Sequence, residues 1–124
     1  MRPLSIALLQ GDSQVARSLA GSLCHHFHAI HAVSSLQELR ESIVKHRIEV
    51  AIVDIEMASL PEIARLHREF TGTCIVCTHR LADEEMWTAA LNVGAADVCP
   101  SFDTGSIVSA ALRSTPSVIR SAAA

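Results

Sequence analysis

At 124 residues with a formal net charge of −3, the chain has the length of one domain and no basic excess that would hold nucleic acid or an anionic membrane. It is 49% hydrophobic and 19% charged, with a mean hydropathy of +0.31, which excludes a disordered segment and asks for elements covered on both faces. No apolar run approaches the roughly 20 residues of a membrane span, and the opening MRPLSIALLQGD has too short an apolar stretch for a secretory signal, so a cytoplasmic protein without membrane or direct nucleic-acid contact is expected.

The predicted elements alternate along the chain. SIALL (5–9) gives a first strand, after which Asp12 or Ser13 can cap a helix carrying Val15, Leu19 and Leu23 at helical spacing. AIHAV (29–33) holds His31 among apolar residues and reads as an edge strand. Ser35, with Glu38 three residues on, has the spacing of a capping box ahead of Leu39, Ile43 and Val44. VAIVD (50–54) is a third strand, apolar until it ends on Asp54, and Ser59, Pro61 and Glu62 then repeat the helix-start pattern. CIVCT (74–78) is the fourth strand. ADEEMWTAALNVG makes a fourth helix closed by Gly94, DVCPS (97–101) a fifth strand, and DTGSIVSAALRS a fifth helix started by Asp103 and stopped by Pro116. The domain is expected over 1–113, with 114–124 as a tail or the start of a linker to an output domain outside this chain.

Five strands alternating with five helices predict an α/β fold: a flavodoxin-like, doubly wound (βα)5 parallel sheet with strand order 2-1-3-4-5. In that order the carboxyl ends of strands one and three lie side by side at the switch point. Residues 10 to 12, Asp54, Thr78 and Ser101 should then share one rim. The pair Cys74 and Cys77 has the CxxC spacing of redox and zinc motifs, but residues three apart on a strand face opposite ways, so all four cysteines (with Cys24 and Cys99) are expected as reduced structural thiols. His25, His26, His28 and His31 span a helix end and an edge strand without regular ligand geometry and read as a solvated, pH-sensitive patch.

Packing does not explain why so apolar a strand should end on Asp54. A carboxylate on a rigid strand end can act as a nucleophile toward phosphorus and become an aspartyl phosphate, given a Mg2+ held by neighbouring acids, a cation for the phosphoryl charge and a hydroxyl donor. Asp54 ending strand three, DIEM after it, Thr78 ending strand four and GAADVCPS leading through strand five together resemble the receiver domain of bacterial two-component response regulators, over about residues 4–113.

The resemblance implies Asp54 as phosphoacceptor and Thr78 as the switch hydroxyl, while Met57 and the Gly94-Ala95 pair match further family positions. It also implies a switch rather than an enzyme, a histidine kinase or phosphotransfer protein as phosphoryl donor, and an output domain, for instance DNA-binding, on a longer chain. A homodimer through the fourth helix, fifth strand and fifth helix would place Trp87 and Leu91 on its partner surface.

The departures are as specific as the matches. Gln10 and Gly11 stand where the family has two adjacent acids, leaving Asp12, Asp54 and neutral Gln10 as the ligands for Mg2+. Ser101 replaces the family lysine, Phe102 the proline after it and Val98 the coupling aromatic. His79 and Arg80 are the candidate compensating cations. With these changes the resemblance implies weak phosphorylation or none, and signalling through protein–protein contacts. The other reading of the same rim is a flavodoxin-like small-ligand-binding or enzyme domain, although QGDSQ after strand one holds a single glycine and no phosphate-cradling run.

Overall fold

The computed structural model describes residues 2–81 and 83–114. Its elements run β1 (Arg2–Leu9), α1 (Ser13–Leu23), β2 (Phe27–Val33), α2 (Leu36–His46), β3 (Val50–Asp54), α3 (Leu60–Glu69), β4 (Cys74–His79), α4 (Glu84–Asn92), β5 (Asp97–Pro100) and α5 (Thr104–Ser114). The strands form one parallel sheet in the order β2-β1-β3-β4-β5, as the alternation predicts, with β2 at an edge. Strand five ends at Pro100, so Ser101 lies one residue beyond it in the turn. Ser114, the first residue of the expected tail, still belongs to α5, while the expected stop at Pro116 and the rest of the tail lie outside the described residues.

Strand alternation divides the core into two layers. Ala7, Leu9, Ala51, Val53, Ile75 and Cys77 pack with Leu39, Ile63, Leu66 and Ala90 of α2, α3 and α4. Ile6, Leu8, Val50, Ile52, Val76 and Cys99 pack with Leu19, Leu23, Ile107 and Ala111 of α1 and α5. Every residue of β3 is buried, as a central strand between two helical layers must be. Cys74 packs with the second layer and Cys77 with the first, so the CxxC pair is divided by the sheet. Burial pushes the Cys77 thiol up to about 12 and the Cys99 thiol up to about 11, which keeps both in the unreactive thiol form.

The helix starts are set at the rim. Asp12 Oδ1 accepts from the N–H groups of Gln14 at 2.8 Å and Val15 at 3.2 Å, which makes Asp12, not Ser13, the cap of α1. Ser59 and Glu62 close a reciprocal capping box on α3, and the two hydrogen bonds from Ser59 hold the Glu62 carboxyl below its usual range. Ser35 accepts from Glu38 N–H, but the Glu38 carboxylate reaches the N–H of Ser34 and so steps one residue outside the expected box. Gly94 lies at φ +108, and a Cβ there would stand 2.4 Å from His67 Cγ; the turn into β5 therefore needs glycine both for its backbone and for the approach of α3.

Candidate functional site

The register of β3 on β4 sets Asp54 directly beside Thr78. Both continue the alternation of Ile52 and Val76 and face the α1 and α5 side at the carboxyl edge. Asp54 is 3% exposed and Thr78 fully buried. The Asp54 carboxylate is satisfied by backbone: Oδ2 accepts from Gly11 N–H at 3.1 Å and Oδ1 from Glu56 N–H at 3.0 Å. Among the described residues, Thr78 Oγ1 finds no hydrogen-bond partner, and neither does the buried Nε2 of Gln10. Two polar atoms therefore sit unpaired beneath the rim, where a buried group ordinarily finds a partner.

Gly11 has a steric role that spacing alone did not reveal. A Cβ on it would stand 3.1 Å from Met57 Sδ and 3.4 Å from Asp54 Oδ2, so the missing side chain lets Met57 and Asp54 close against the loop. Above them is a cleft of about 370 Å3 lined by Gln10, Gly11, Asp12, Val15, Glu56, Met57, Arg80 and Ser101.

Arg80 comes to this cleft, but in company. Its Nη2 lies 2.8 Å and its Nε 3.1 Å from Glu56 Oε1, and His79 Nε2 stands 3.6 Å from the same oxygen. The hydrogen bond and charge of Glu56 raise the Arg80 pKa, with smaller contributions from Asp54 and Asp12. His79 also accepts from Leu81 N–H through Nδ1 at 3.0 Å, which assigns its proton to Nε2, the nitrogen facing Glu56. Glu56 went unnoticed in the sequence, although a signal was present. It lies two residues past Asp54, as Arg80 lies two past Thr78, so pairing of the two strand ends brings the offset positions together.

Ser101 is buried at the turn, its N–H donating to His79 O at 3.1 Å, and its short side chain offers no charge to the cleft. Val98 is buried with the core layer of α2, α3 and α4. Magnesium needs several oxygens free to converge on it. Here Asp12 caps a helix, Gln10 Oε1 accepts from Asp12 N–H at 3.3 Å, both Asp54 oxygens accept backbone N–H groups, and position 11 has no side chain. Among the described residues no group of three or more His, Cys, Asp or Glu side chains is placed to hold a metal ion, the histidines of residues 25–31 included. Two carboxylates and one neutral amide are the side-chain oxygens gathered here, and each of these side chains already caps a helix or holds a backbone N–H.

Trp87 and Leu91 lie apart from the rim on α4, Trp87 45% exposed and Leu91 half-buried. A second cleft, of about 520 Å3, runs between α1 and the end of β2, lined by Gln10, Ser13, Arg17, Ser34 and Met57 among others. No helix among the described residues is long and apolar enough to cross a membrane.

These features define a doubly wound (βα)5 domain with an acid delivered to the switch-point rim, the architecture of response-regulator receiver domains. No protein-family description matches the sequence, and no curated protein resembles it closely enough in sequence to count as a relative. Solved structures are similar in fold. The N-terminal signal receiver domain of a two-component system response regulator from Bacteroides fragilis is 19% identical, with a TM-score of 0.81 over 90% of this chain and 96% of that one. A response regulator from Thermotoga maritima is 17% identical, with a TM-score of 0.76 over 87% and 93%. The RcsB response regulator of Salmonella typhimurium, a structure concerned with DNA interaction, is 15% identical, with a TM-score of 0.80 over 97% of this chain and 67% of that one. The chain has the receiver fold.

Proposed function

We propose that this chain is a receiver domain that signals through protein–protein contacts and whose Asp54 is phosphorylated weakly or not at all. The observation that carries the reading is the internal charge balance of the rim. Both oxygens of Asp54 are held by backbone N–H groups, and the cation nearest the cleft, Arg80, is bound to Glu56. A phosphoryl donor brings negative charge into such a site, and catalysis of its transfer rests on preorganised positive charge. Here the family lysine position is Ser101, only two acids, Asp12 and Asp54, stand where magnesium would be held, and Arg80 reaches a donor only by leaving its carboxylate. A histidine kinase or phosphotransfer protein would meet the domain at this rim. The face of Trp87 and Leu91 is the surface for a second copy or an output partner. The longer chain of the RcsB neighbour supports an output domain beyond this one.

The test is intact mass after incubation with a small phosphodonor and Mg2+, on wild type and on Asp54→Ala. The expected wild-type result is little or no gain of one phosphate. A full, rapid gain that disappears in Asp54→Ala establishes a working phosphoacceptor and overturns the reading. The cleft between α1 and β2 favours one second reading, a small-ligand site bordered by Arg17 and two serines. Among the described residues no aromatic ring lines it, which speaks against a flavin, and a thermal-shift screen with nucleotides and small carboxylates tests it.

A further inference from the structure

The side chain that the rim chemistry leaves unused, and that joins the most elements, is Asp97. It opens β5 and its carboxylate accepts in three directions. Oδ1 takes its neighbour's N–H, from Val98 at 2.8 Å, and the indole Nε1–H of Trp87 at 3.0 Å; Oδ2 takes Arg113 Nη2 at 3.1 Å. Trp87 belongs to α4 and Arg113 to the last turn of α5, so one carboxylate ties both flanking helices to the strand between them. Arg113 is held a second time, its Nε donating to Ser109 O at 3.2 Å. The ring of Trp87, the single tryptophan of the chain, is thus fixed at its polar end while 45% exposed, the arrangement in which a large amphipathic side chain loses little further freedom when a partner covers it.

This cluster stands away from Asp54. Asp97 pairs with Val76, two residues before Thr78, which places its backbone position about 7 Å along the strands and about 10 Å across them from that of Asp54. The residue after it, Val98, is small and buried and carries no side chain from the rim to the outer face. Among the described residues, the hydrogen-bond partners of the Asp97 carboxylate lie on α4, β5 and α5.

We propose that Asp97 is the positioning residue of a three-element clamp, holding Trp87 and Arg113 in one arrangement so that the surface of α4, β5 and α5 is set independently of Asp54. The inference rests on the reading of the chain as a signalling receiver and deepens it: the partner surface is fixed by contacts within itself, not switched from the rim.

The experiment follows the lone indole N–H resonance of 15N-labelled protein, with circular dichroism as the control for folding. In Asp97→Ala the indole loses its acceptor, and the resonance should move and exchange faster with solvent. In Asp97→Asn an amide oxygen remains for the indole but the charge for Arg113 is lost, so the resonance should stay near its wild-type position while the Arg113 Nε signal changes. Arg113→Ala, which removes that signal altogether, should likewise leave the indole resonance near its wild-type position. A purely steric role for position 97 would not separate these variants. Asp54→Ala, and wild type treated with phosphodonor and Mg2+, should leave the indole resonance where it is. The clamp is overturned if the resonance is unchanged in folded Asp97→Ala. Movement of the resonance in Asp54→Ala overturns the independence of the face. Parallel intact mass keeps the readings distinct: a phosphate adduct with an unmoved indole refutes weak phosphorylation and leaves the clamp standing.

Discussion

Asp54 closes the central strand β3 at the rim and Asp97 opens the edge strand β5 two strands away, and each carboxylate accepts from more than one donor. Asp54 is buried and its donors are backbone N–H groups of loops packed against it; Asp97 is half-buried and two of its donors are side chains from separate helices. The first arrangement holds a charge still. The second uses a charge to hold other things still. A buried carboxylate with both oxygens engaged gains nothing from rotating and presents little of itself to a reactant, whereas a carboxylate at an edge couples whatever reaches it.

The largest expected effect removes the turn that delivers Asp97. Gly94→Ala combines a left-handed backbone with a Cβ 2.4 Å from His67 Cγ, and should cost about 2–4 kcal/mol, read as a lowered denaturant midpoint. The clamp should open with it, so in whatever fraction stays folded the indole N–H should resemble that of Asp97→Ala. A cost below about 1 kcal/mol would mean that the α3 to α4 packing yields easily and that the turn does not set the strand.

Next comes the direct contrast of the two acids. Asp54→Ala strands the N–H groups of Gly11 and Glu56 and should destabilise by about 1–3 kcal/mol, while Asp54→Asn keeps one acceptor and should cost less. Asp97→Ala removes two exposed side-chain bonds, whose donors can turn to water, and one part-buried bond from Val98 N–H, and should cost about 1 kcal/mol. The order matters more than the values. If Asp97→Ala proves the more destabilising in urea titration, the clamp is part of the fold's stability and not chiefly a device for holding a surface.

The strands and the starts of α1, α2, α3 and α5 were legible because each is written locally, in apolar runs, alternation and caps, and the strand order followed from the rule for parallel crossovers. Helix α2 shows the limit of such reading: Arg47 ends it in the left-handed conformation at φ 51, where no glycine marks the spot. At the rim, Asp54 and Thr78 were legible because strand ends meet there by topology. Glu56 and Asp97 were not, since each acts through partners 24 or 16 residues away whose meeting depends on register and on a long side chain's reach. The role of Gly11 was hidden for another reason. A sequence shows that a side chain is missing but not which atoms close over the gap.

The smallest effect separates the opposite edge of the sheet from both acids. His31 on β2 stacks on His46 at the end of α2, with ring centroids 3.9 Å apart and 11° between planes, beside Glu38, Glu41 and Lys45. Desolvation first, and the charge of His46 second, lower the His31 pKa. A histidine whose folded pKa lies below its unfolded value of about 6.5 favours folding while neutral, so its contribution is present above that pH and is lost as the pH falls through it. Wild-type thermal stability should therefore decline slightly between pH 7 and 5.5, and His31→Gln should flatten that slope. The charge of His46 is the second cause of that lowering, so His46→Gln should raise the His31 pKa in an NMR titration. An unchanged His31 titration in that variant would show that burial alone sets it, and the stacked pair would then be packing rather than an electrostatic couple.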